Sequence, residues 1–299
     1  MNDPVMFSVN ISLFMSSIRP TLWPHFCTSL RGTSVNYEII AAGHINTKQY
    51  IFPNNFKYIE TGYIKPAQCY ELARRECTGE TVSWVADDCE FPNDVMGKAY
   101  KYWKSQNNKK LILSIQTKES GYEVPELTLF NMDTHRFFGG KKNTELMAPI
   151  CLMGREFLEE LGGFDKRFIC GQYENFCVKM AYEKGAKVEI FGDENCCVEI
   201  DHLAKSIMIN EATDKLSFRK RPFARGWEHD RKVLEDSWTT YNMHIHLRLL
   251  SYVWNFLSPQ KKLSPNWYKK VSPKLLDKFQ PYSKNLSKIV SEGPKGDWG

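Results

Sequence analysis

The chain lacks long apolar runs and lacks any cysteine pattern that would brace a small secreted domain. No stretch approaches the roughly 18–20 apolar residues of a membrane-spanning helix, and Asp3 and Asn10 do not fit a signal peptide. The nine cysteines are odd in number, with no CxxC pair and no zinc-finger spacing. We therefore expect a cytoplasmic protein with reduced thiols, many of them buried as small apolar side chains.

Arginine is absent from residues 261–299, although this segment holds nine lysines and three acids. The segment carries a net charge of +6, which leaves −1 for the remaining 260 residues. Because arginine is the usual side chain for contacts with bases, we do not expect nucleic acid as a partner. Lysines interspersed with Trp267, Tyr268, Phe279 and Tyr282 indicate peripheral contact with an anionic membrane surface, or an anionic polysaccharide. Packing of this tail across the domain is the alternative.

Apolar strand patterns alternate with helical patterns along the first half of the chain. They predict strands at 7–15, 37–42, 56–61, 80–86 and 110–116, and helices at 21–30, 65–77 and 95–105. Later patterns predict an apolar run at 148–153, helices at 156–161 and 172–184, strands at 186–191 and 196–200, and long helical character over 227–256. The alternation predicts an α/β protein with a parallel, doubly wound sheet, whose ligands bind at the C-terminal ends of the strands.

An acidic cluster ends one of these predicted strands. The β-prone run 80–86 is followed by Asp87, Asp88 and Glu90 within four positions. Like charges this close repel each other, so the sequence implies a compensating cation. Carboxylate oxygens suit Mg²⁺ or Mn²⁺. A solvated acidic turn that caps the helix near Pro92 is the alternative.

Three ordered blocks between residues 7 and 206 resemble the GT-A fold glycosyltransferases, most closely the inverting family-2 type. The motifs need one another as context, because each is weak alone. The blocks are Ser16-Ser17-Ile18-Arg19-Pro20 after the first strand, Gly79-Glu80 leading to the DxD-like Asp87-Asp88, and Gly162-Gly163-Phe164-Asp165 followed by Phe168, Gly171, Glu174 and His202.

The resemblance implies a metal-dependent enzyme that uses Mn²⁺ or Mg²⁺. It makes Asp88 the first metal ligand, with Glu90 adding a water-mediated contact and Asp87 touching ribose or a metal-bound water. His202 is similar to a late histidine that completes the metal site in related enzymes. A structural histidine is the alternative, and Lys205 could instead neutralise diphosphate.

The same resemblance predicts the side chains that hold the donor, a UDP- or GDP-sugar. The second strand ends in Ala41-Ala42-Gly43-His44, where the family often has an aspartate that reads the base. Base recognition then passes to backbone groups, to His44, or to Ser16 and Ser17. Solvated residues at a helix start are the alternative for Lys65 and Gln68. The nucleotide-sugar-binding residues predicted here are Ser16, Ser17, Arg19, Gly43, Lys65, Gln68 and Asp87.

The catalytic base is where the chain departs from the family pattern. The family usually supplies an acid in a Glu-Asp pair, and this chain has Glu174-Asn175, followed by Cys177. A neutral asparagine cannot accept the proton of an acceptor hydroxyl. Either Glu174 is the base, or Asp165 takes that role, or the activity is lost.

The resemblance therefore implies a glycosyltransferase that transfers a sugar, with inversion, to a hydroxyl of a glycan or lipid-linked saccharide. It places the GT-A domain in residues 1–215 and a helical, lysine-rich and aromatic-rich extension in residues 216–299. A nucleotide-sugar or glycan-binding module without turnover is the alternative. A sugar nucleotidyltransferase is disfavoured, because the turn after the first strand contains no glycine.

Overall fold

The computed structural model describes residues 8–121, 124–130, 136–137, 141–142, 148–201 and 279–293, and single positions between 226 and 257. Six helices have defined bounds: α1 Trp23–Ser29, α2 Pro66–Arg75, α3 Val95–Ser105, α4 Arg155–Glu160, α5 Tyr173–Glu183 and α6 Leu286–Ile289. The described positions between 226 and 257 are helical, within the region predicted to have helical character. The predicted boundary at residues 215 and 216 lies outside the described residues.

Thirteen strands have defined bounds, and they form three sheets. They are β1 Ile11–Ser16, β2 Tyr37–Gly43, β3 Phe56–Glu60, β4 Thr81–Trp84, β5 Cys89–Glu90, β6 Leu111–Ile115, β7 Thr117–Gly121, β8 Val124–Phe130, β9 Arg136–Phe137, β10 Lys141–Lys142, β11 Ile150–Gly154, β12 Lys187–Phe191 and β13 Val198–Asp201.

The main sheet has seven strands in the order β12-β6-β11-β4-β1-β2-β3. All pairs are parallel except those of β11, which runs antiparallel to both β4 and β6. The predicted mostly parallel α/β sheet is thus confirmed. Its C-terminal edge brings together the ends of β1, β2 and β4, where the sequence predicts the site.

A second sheet in the order β5-β13-β7-β8 lies beyond the acidic cluster. β5 is only two residues long, and it pairs Cys89 with Ile200 and Glu90 with Glu199. The sequence showed no regular pattern over 117–146, which contains β7 and β8. This sheet fixes the chain that leaves the acidic cluster.

Alternate side chains of β1 enter two different cores. Leu13 and Met15 of β1 pack in one core with residues of α1 and α3, whereas Phe14 packs in the other with residues of α2 and α5. Side chains of a strand alternate between its faces, so a sheet covered by helices on both sides favours apolar residues at consecutive positions. This explains why Leu13, Phe14 and Met15 of β1 are all apolar. All nine cysteines are free thiols; six of them are buried, and five of those six lie in these two cores.

Two glycines, Gly162 and Gly163, lie near the start of the loop between α4 and α5. Gly163 has a φ of +81°, and a Cβ there would lie 2.4 Å from Glu71 Oε2 and 2.7 Å from Arg74 Nε. Glu71 is fully buried; it accepts the Phe164 amide at 3.2 Å and binds Arg74. The Gly-Gly pair therefore lets the loop approach a buried ion pair on α2.

Replacing Gly163 by alanine is expected to destabilise the fold far more than replacing Gly185. Gly185 has nearly the same φ, +83°, but nothing lies within 4 Å of a Cβ there. Both variants take on the strain of a left-handed alanine, about 1–3 kcal/mol, and only Gly163→Ala adds a clash with a buried ion pair. Urea unfolding of both variants measures the difference. Equal losses would show that the contact with Glu71 does not constrain the loop.

Part of the lysine-rich tail packs on the main domain. Tyr282 and Ile289 are buried in the core shared with α2 and α5, and Arg75 donates to the Lys284 carbonyl at 2.9 Å. For residues 279–293 the packing alternative is therefore confirmed, and Trp267 and Tyr268 lie outside the described residues. No described helix combines the length and apolar character needed to cross a membrane.

Candidate active site

The end of β1 and the end of β4 bring a hydroxyl, a guanidinium and two carboxylates together. β1 and β4 are adjacent and parallel, so the turn after Ser16 lies beside Asp87 and Asp88, which we call the acid pair. The Ser17 hydroxyl donates to Asp87 Oδ2 and accepts from Trp23 Nε1 at 2.6 Å. Both Asp87 oxygens are thereby bound within the protein, because Arg19 takes the other one.

Arg19 bridges the acid pair. Its Nη2 donates to Asp87 Oδ1 and lies 3.1 Å from Asp88 Oδ2. Burial raises the pKa of Asp87 above its usual value, and the charge of Arg19 opposes this rise. For Arg19, burial acts to lower the pKa, but the charges of Asp87 and Asp88 outweigh it and raise the pKa. Arg19 therefore stays protonated, and its single positive charge lies between the two carboxyl groups.

The acid pair fits the protein's share of a Mg²⁺ or Mn²⁺ site. Such ions are often held by one or two carboxylates, while substrate phosphates and water complete the shell. Within the described ranges, no three His, Cys, Asp or Glu side chains gather into a group that could hold an ion alone. Glu90 Oε1 lies 2.7 Å from His25 Nε2, and His202 lies outside the described residues. Asp88 is thus the residue that would hold an ion, with phosphate oxygens needed beside it.

Gly43 allows the end of β2 to approach the turn after β1. A Cβ at Gly43 would lie 2.3 Å from the Ser17 carbonyl oxygen and 2.5 Å from Tyr58 Oη. The Tyr58 hydroxyl donates to the same Ser17 carbonyl at 2.9 Å. Gly43 therefore supports the position of Ser17. Its neighbour His44 packs on the exposed Tyr63 ring at a centroid distance of 4.5 Å.

Gln68 and Lys65 lie at the start of α2. Gln68 is fully buried; its Oε1 accepts the Lys65 amide at 3.0 Å, and its Nε2 donates to the Ile289 carbonyl at 3.0 Å. The Gln68 amide group is thus bound to the chain's own backbone, so we leave Gln68 out of the donor site proposed below. Lys65 is also buried.

Tyr70 lies between the acid pair and the start of α5, and the sequence analysis did not identify it as a site residue. Its hydroxyl donates to the Val85 carbonyl at 2.7 Å, just where β4 has ended. Burial raises the pKa of Tyr70 most, and the carboxylates of Glu174 and Asp87 raise it further. The Tyr70 ring also lies 5.1 Å from the ring of Tyr173, the residue before Glu174. Tyr70 thus contacts both the end of β4 and the start of α5.

Glu174 begins α5 with one oxygen out of contact with any donor. Gln172 just before it adopts a left-handed φ of 63°, which turns the chain into the helix. Glu174 Oε2 is buried and has no hydrogen-bond partner among the described residues. Burial raises the pKa of Glu174 to about 7, and Asp230 adds to the rise, whereas the amides of Glu174 and Gln172 oppose it. A carboxylate with this pKa can accept a proton near neutral pH.

Asp165, the other candidate base, is occupied by structural contacts. It is fully buried, and Arg167 Nε lies 2.9 Å from Oδ1 and 3.0 Å from Oδ2. Its oxygens also accept the amides of Arg167 at 2.9 Å and Gln280 at 3.2 Å. These contacts attach the tail to the Gly-Gly loop. Of the two candidates, we therefore keep Glu174 as the base.

Asp230 also reaches this site, although nothing in the sequence singles it out. Its carboxylate accepts the amides of Ile169, Cys170 and Gly171, the loop just before α5. It follows Glu228-His229 in a segment with helical character, where an acid normally faces solvent. These contacts join residues 59 to 61 positions apart in the chain, so no local sequence pattern predicts them.

Known structures share this architecture. No family model matches the chain, and no curated protein matches it. A crystal structure of S. aureus TarS residues 1–349 is 14% identical over 64% of this chain, with a TM-score of 0.51. The same fragment in complex with UDP-GlcNAc gives 14% identity over 64% of this chain and a TM-score of 0.50. GalNAc-T7 with UDP, GalNAc and Mn²⁺ gives 12% identity over 67% of this chain and a TM-score of 0.47.

The likeness to TarS shows that this chain has the GT-A glycosyltransferase fold. The match spans 60% of the length of the TarS fragment and 58% of it in the UDP-GlcNAc complex. GalNAc-T7, at 44% of its length, adds nothing to the argument.

Proposed function

We propose that this chain is a glycosyltransferase that transfers a sugar from a nucleoside diphosphate sugar to a hydroxyl group, with inversion. The observation that carries the proposal is the acid pair at the C-terminal end of β4, joined through Tyr70 to the start of α5, which carries Glu174. TarS, which has the same fold, binds UDP and UDP-GlcNAc. The acceptor we propose is a glycan or a lipid-linked saccharide.

The proposed roles follow from the charges at the site. Asp87 is fixed by Ser17 and Arg19, so it orients Arg19 toward the place where a diphosphate meets Asp88. Arg19 then supplies a positive charge next to the leaving group. Asp88 would hold Mn²⁺ or Mg²⁺, and the ion would supply Lewis-acid stabilisation of the charge that grows on the diphosphate. Glu174 accepts the proton of the acceptor hydroxyl. The hydroxyl oxygen attacks the anomeric carbon of the sugar from the side opposite the diphosphate, which leaves.

Calorimetry with UDP- and GDP-sugars, with and without Mn²⁺, tests this proposal. We expect Mn²⁺-dependent binding of at least one nucleotide sugar, and we expect Asp88→Asn to abolish it because one ligand charge is lost. Glu156→Gln is the matched control, since Glu156 is an exposed acid paired with Lys109 on the surface. If neither UDP-sugars nor GDP-sugars bind, the proposal is wrong. If Asp88→Asn binds the nucleotide sugar with unchanged affinity, Asp88 does not have the role proposed for it.

A binding module without turnover is the second candidate, and Asn175 favours it. Asn175 is buried, and its amide donates to Gln172 Oε1 at 3.0 Å, so it is built into the start of α5. Under this alternative the protein binds donor but never breaks its glycosidic bond. Slow release of free sugar from a bound donor, measured without acceptor, separates the two, because only an enzyme hydrolyses the donor.

A further inference from the structure

One carboxylate from the C-terminal part of the chain receives three consecutive backbone amides. The amides of Ile169, Cys170 and Gly171 lie 2.8, 2.6 and 2.8 Å from Asp230, which is fully buried. Three adjacent N–H groups that converge on one anion form a concave anion site. Here the anion is the protein's own aspartate.

These amides belong to the loop that leads into Glu174. Gly171 is followed by Gln172 in its left-handed conformation and then by Tyr173 and Glu174. An amide that is shielded from water and loses its hydrogen-bond partner is destabilising, so the loop conformation depends on Asp230. The entrance to α5 is therefore held from a distant part of the chain.

The oxygens of Asp230 are fully used by these contacts. Oδ2 accepts the amides of Cys170 and Gly171, while Oδ1 accepts the Ile169 amide and lies 3.0 Å from His229 Nδ1. The geometry of Asp230 suits it to orient other groups.

We propose that Asp230 is a positioning residue of the active site, which holds the loop at residues 169–171 and so fixes Glu174 for its role as the base. The proposal rests on the proposed function only for that role. The contact with the loop is independent of it. Asp230, far along the chain from the acid pair, is then part of the site.

The electrostatics of the site support this assignment. Asp230 contributes to the raised pKa of Glu174, after burial. The titratable groups that interact with Glu174 are Tyr70 on α2, Cys170 in the loop, Tyr173 and Cys177 on α5, and Asp230 from the later part of the chain. His229 lies next to Asp230. Asp230 carries the one carboxyl group in this set, so we expect its removal to change the electrostatics around Glu174 most.

The first experiment titrates Glu174 by NMR in protein with ¹³C-labelled glutamate side chains, with the Glu174→Gln variant used for assignment. In Asp230→Asn we expect the pKa of Glu174 to fall by roughly one unit, because a nearby like charge is lost. Asp193→Asn is the control: Asp193 accepts the amides of Asn195 and Cys196 in an exposed turn, so it removes a similar cap elsewhere. An unchanged Glu174 pKa in folded Asp230→Asn would overturn the proposal.

The second experiment needs no variant. Hydrogen exchange of the wild-type protein should show strong protection of the amides of Ile169, Cys170 and Gly171. Exchange at the rate of free amides would overturn the proposal, even if Asp230→Asn failed to fold. Neither measurement uses a substrate, so a negative result here and a failure to bind nucleotide sugars are separate outcomes.

Discussion

Glu174→Gln is expected to lower the rate of sugar transfer by about 10²–10⁴-fold while donor affinity stays unchanged. This is the usual contribution of a positioned general base. Glutamine keeps the shape of Glu174 but cannot accept a proton, and it leaves the acid pair intact. Single-turnover transfer assays and calorimetry, run on the same preparation, measure the two quantities. Glu160→Gln is the control, because Glu160 is an exposed acid at the end of α4.

The pH dependence follows from the same residue. Only ionised Glu174 is a base, so the transfer rate should rise with pH up to about 7 and then level off. Loss of this rise in Glu174→Gln would identify the group. A full-rate Glu174→Gln enzyme would instead show that another acid takes the proton.

Folding stability gives a check that needs no substrate. The pKa of Glu174 is about 7 in the folded protein and starts from 4.5 in the unfolded chain. Between pH 4.5 and 7 the folded protein therefore binds one more proton at Glu174 than the unfolded chain does. The stability that this proton contributes is lost as pH rises from 4.5 to 7. The loss is on the order of 3 kcal/mol at about 1.36 kcal/mol per unit. Urea unfolding across this range should show it in the wild type and not in Glu174→Gln.

Local sequence patterns predicted the parallel part of the sheet well. β1, β2, β3, β4 and β6 are short β-prone segments closed by turns, and the alternation of strands with helices predicts that they are parallel. The direction of β11 could not be predicted in this way. Its apolar run looks the same in either direction, and its antiparallel pairing depends on the path of the chain through residues 117–147.

The site was predictable where it depends on neighbours at one sheet edge. The strand ends alone place Ser17 and Arg19 near Asp87 and Asp88. Contacts between residues far apart in the sequence were not predictable. Gln68 binds the backbone of Ile289, Asp165 binds that of Gln280, and Asp230 binds the loop before α5. Each depends on how the C-terminal part of the chain folds back, which no local pattern records.

Arg19→Met is expected to destabilise the protein by about 3–5 kcal/mol, the usual result of removing one partner from a buried charge pair. Methionine fills the space of the arginine stem but leaves Asp87 and Asp88 as adjacent, buried, like charges. Arg19→Lys should be intermediate, since an ammonium is a point charge and cannot bridge two carboxylates as a planar guanidinium does. Lys109→Met, which removes an exposed ion pair with Glu156, should have no measurable effect.

Two conditions separate the loss of charge from a loss of packing. Without Arg19 the pKa of Asp87 rises further, so the acid pair can relieve its repulsion by taking up a proton at low pH. The stability difference between wild type and Arg19→Met should therefore grow as pH rises. Mn²⁺ should restore part of the stability of Arg19→Met and change the wild type less, because in the variant the ion no longer competes with a resident cation. If the stability difference between wild type and Arg19→Met depends on neither pH nor Mn²⁺, Arg19 stabilises the fold by packing alone. The end of β4 would then need no cation, neither a guanidinium nor a metal ion.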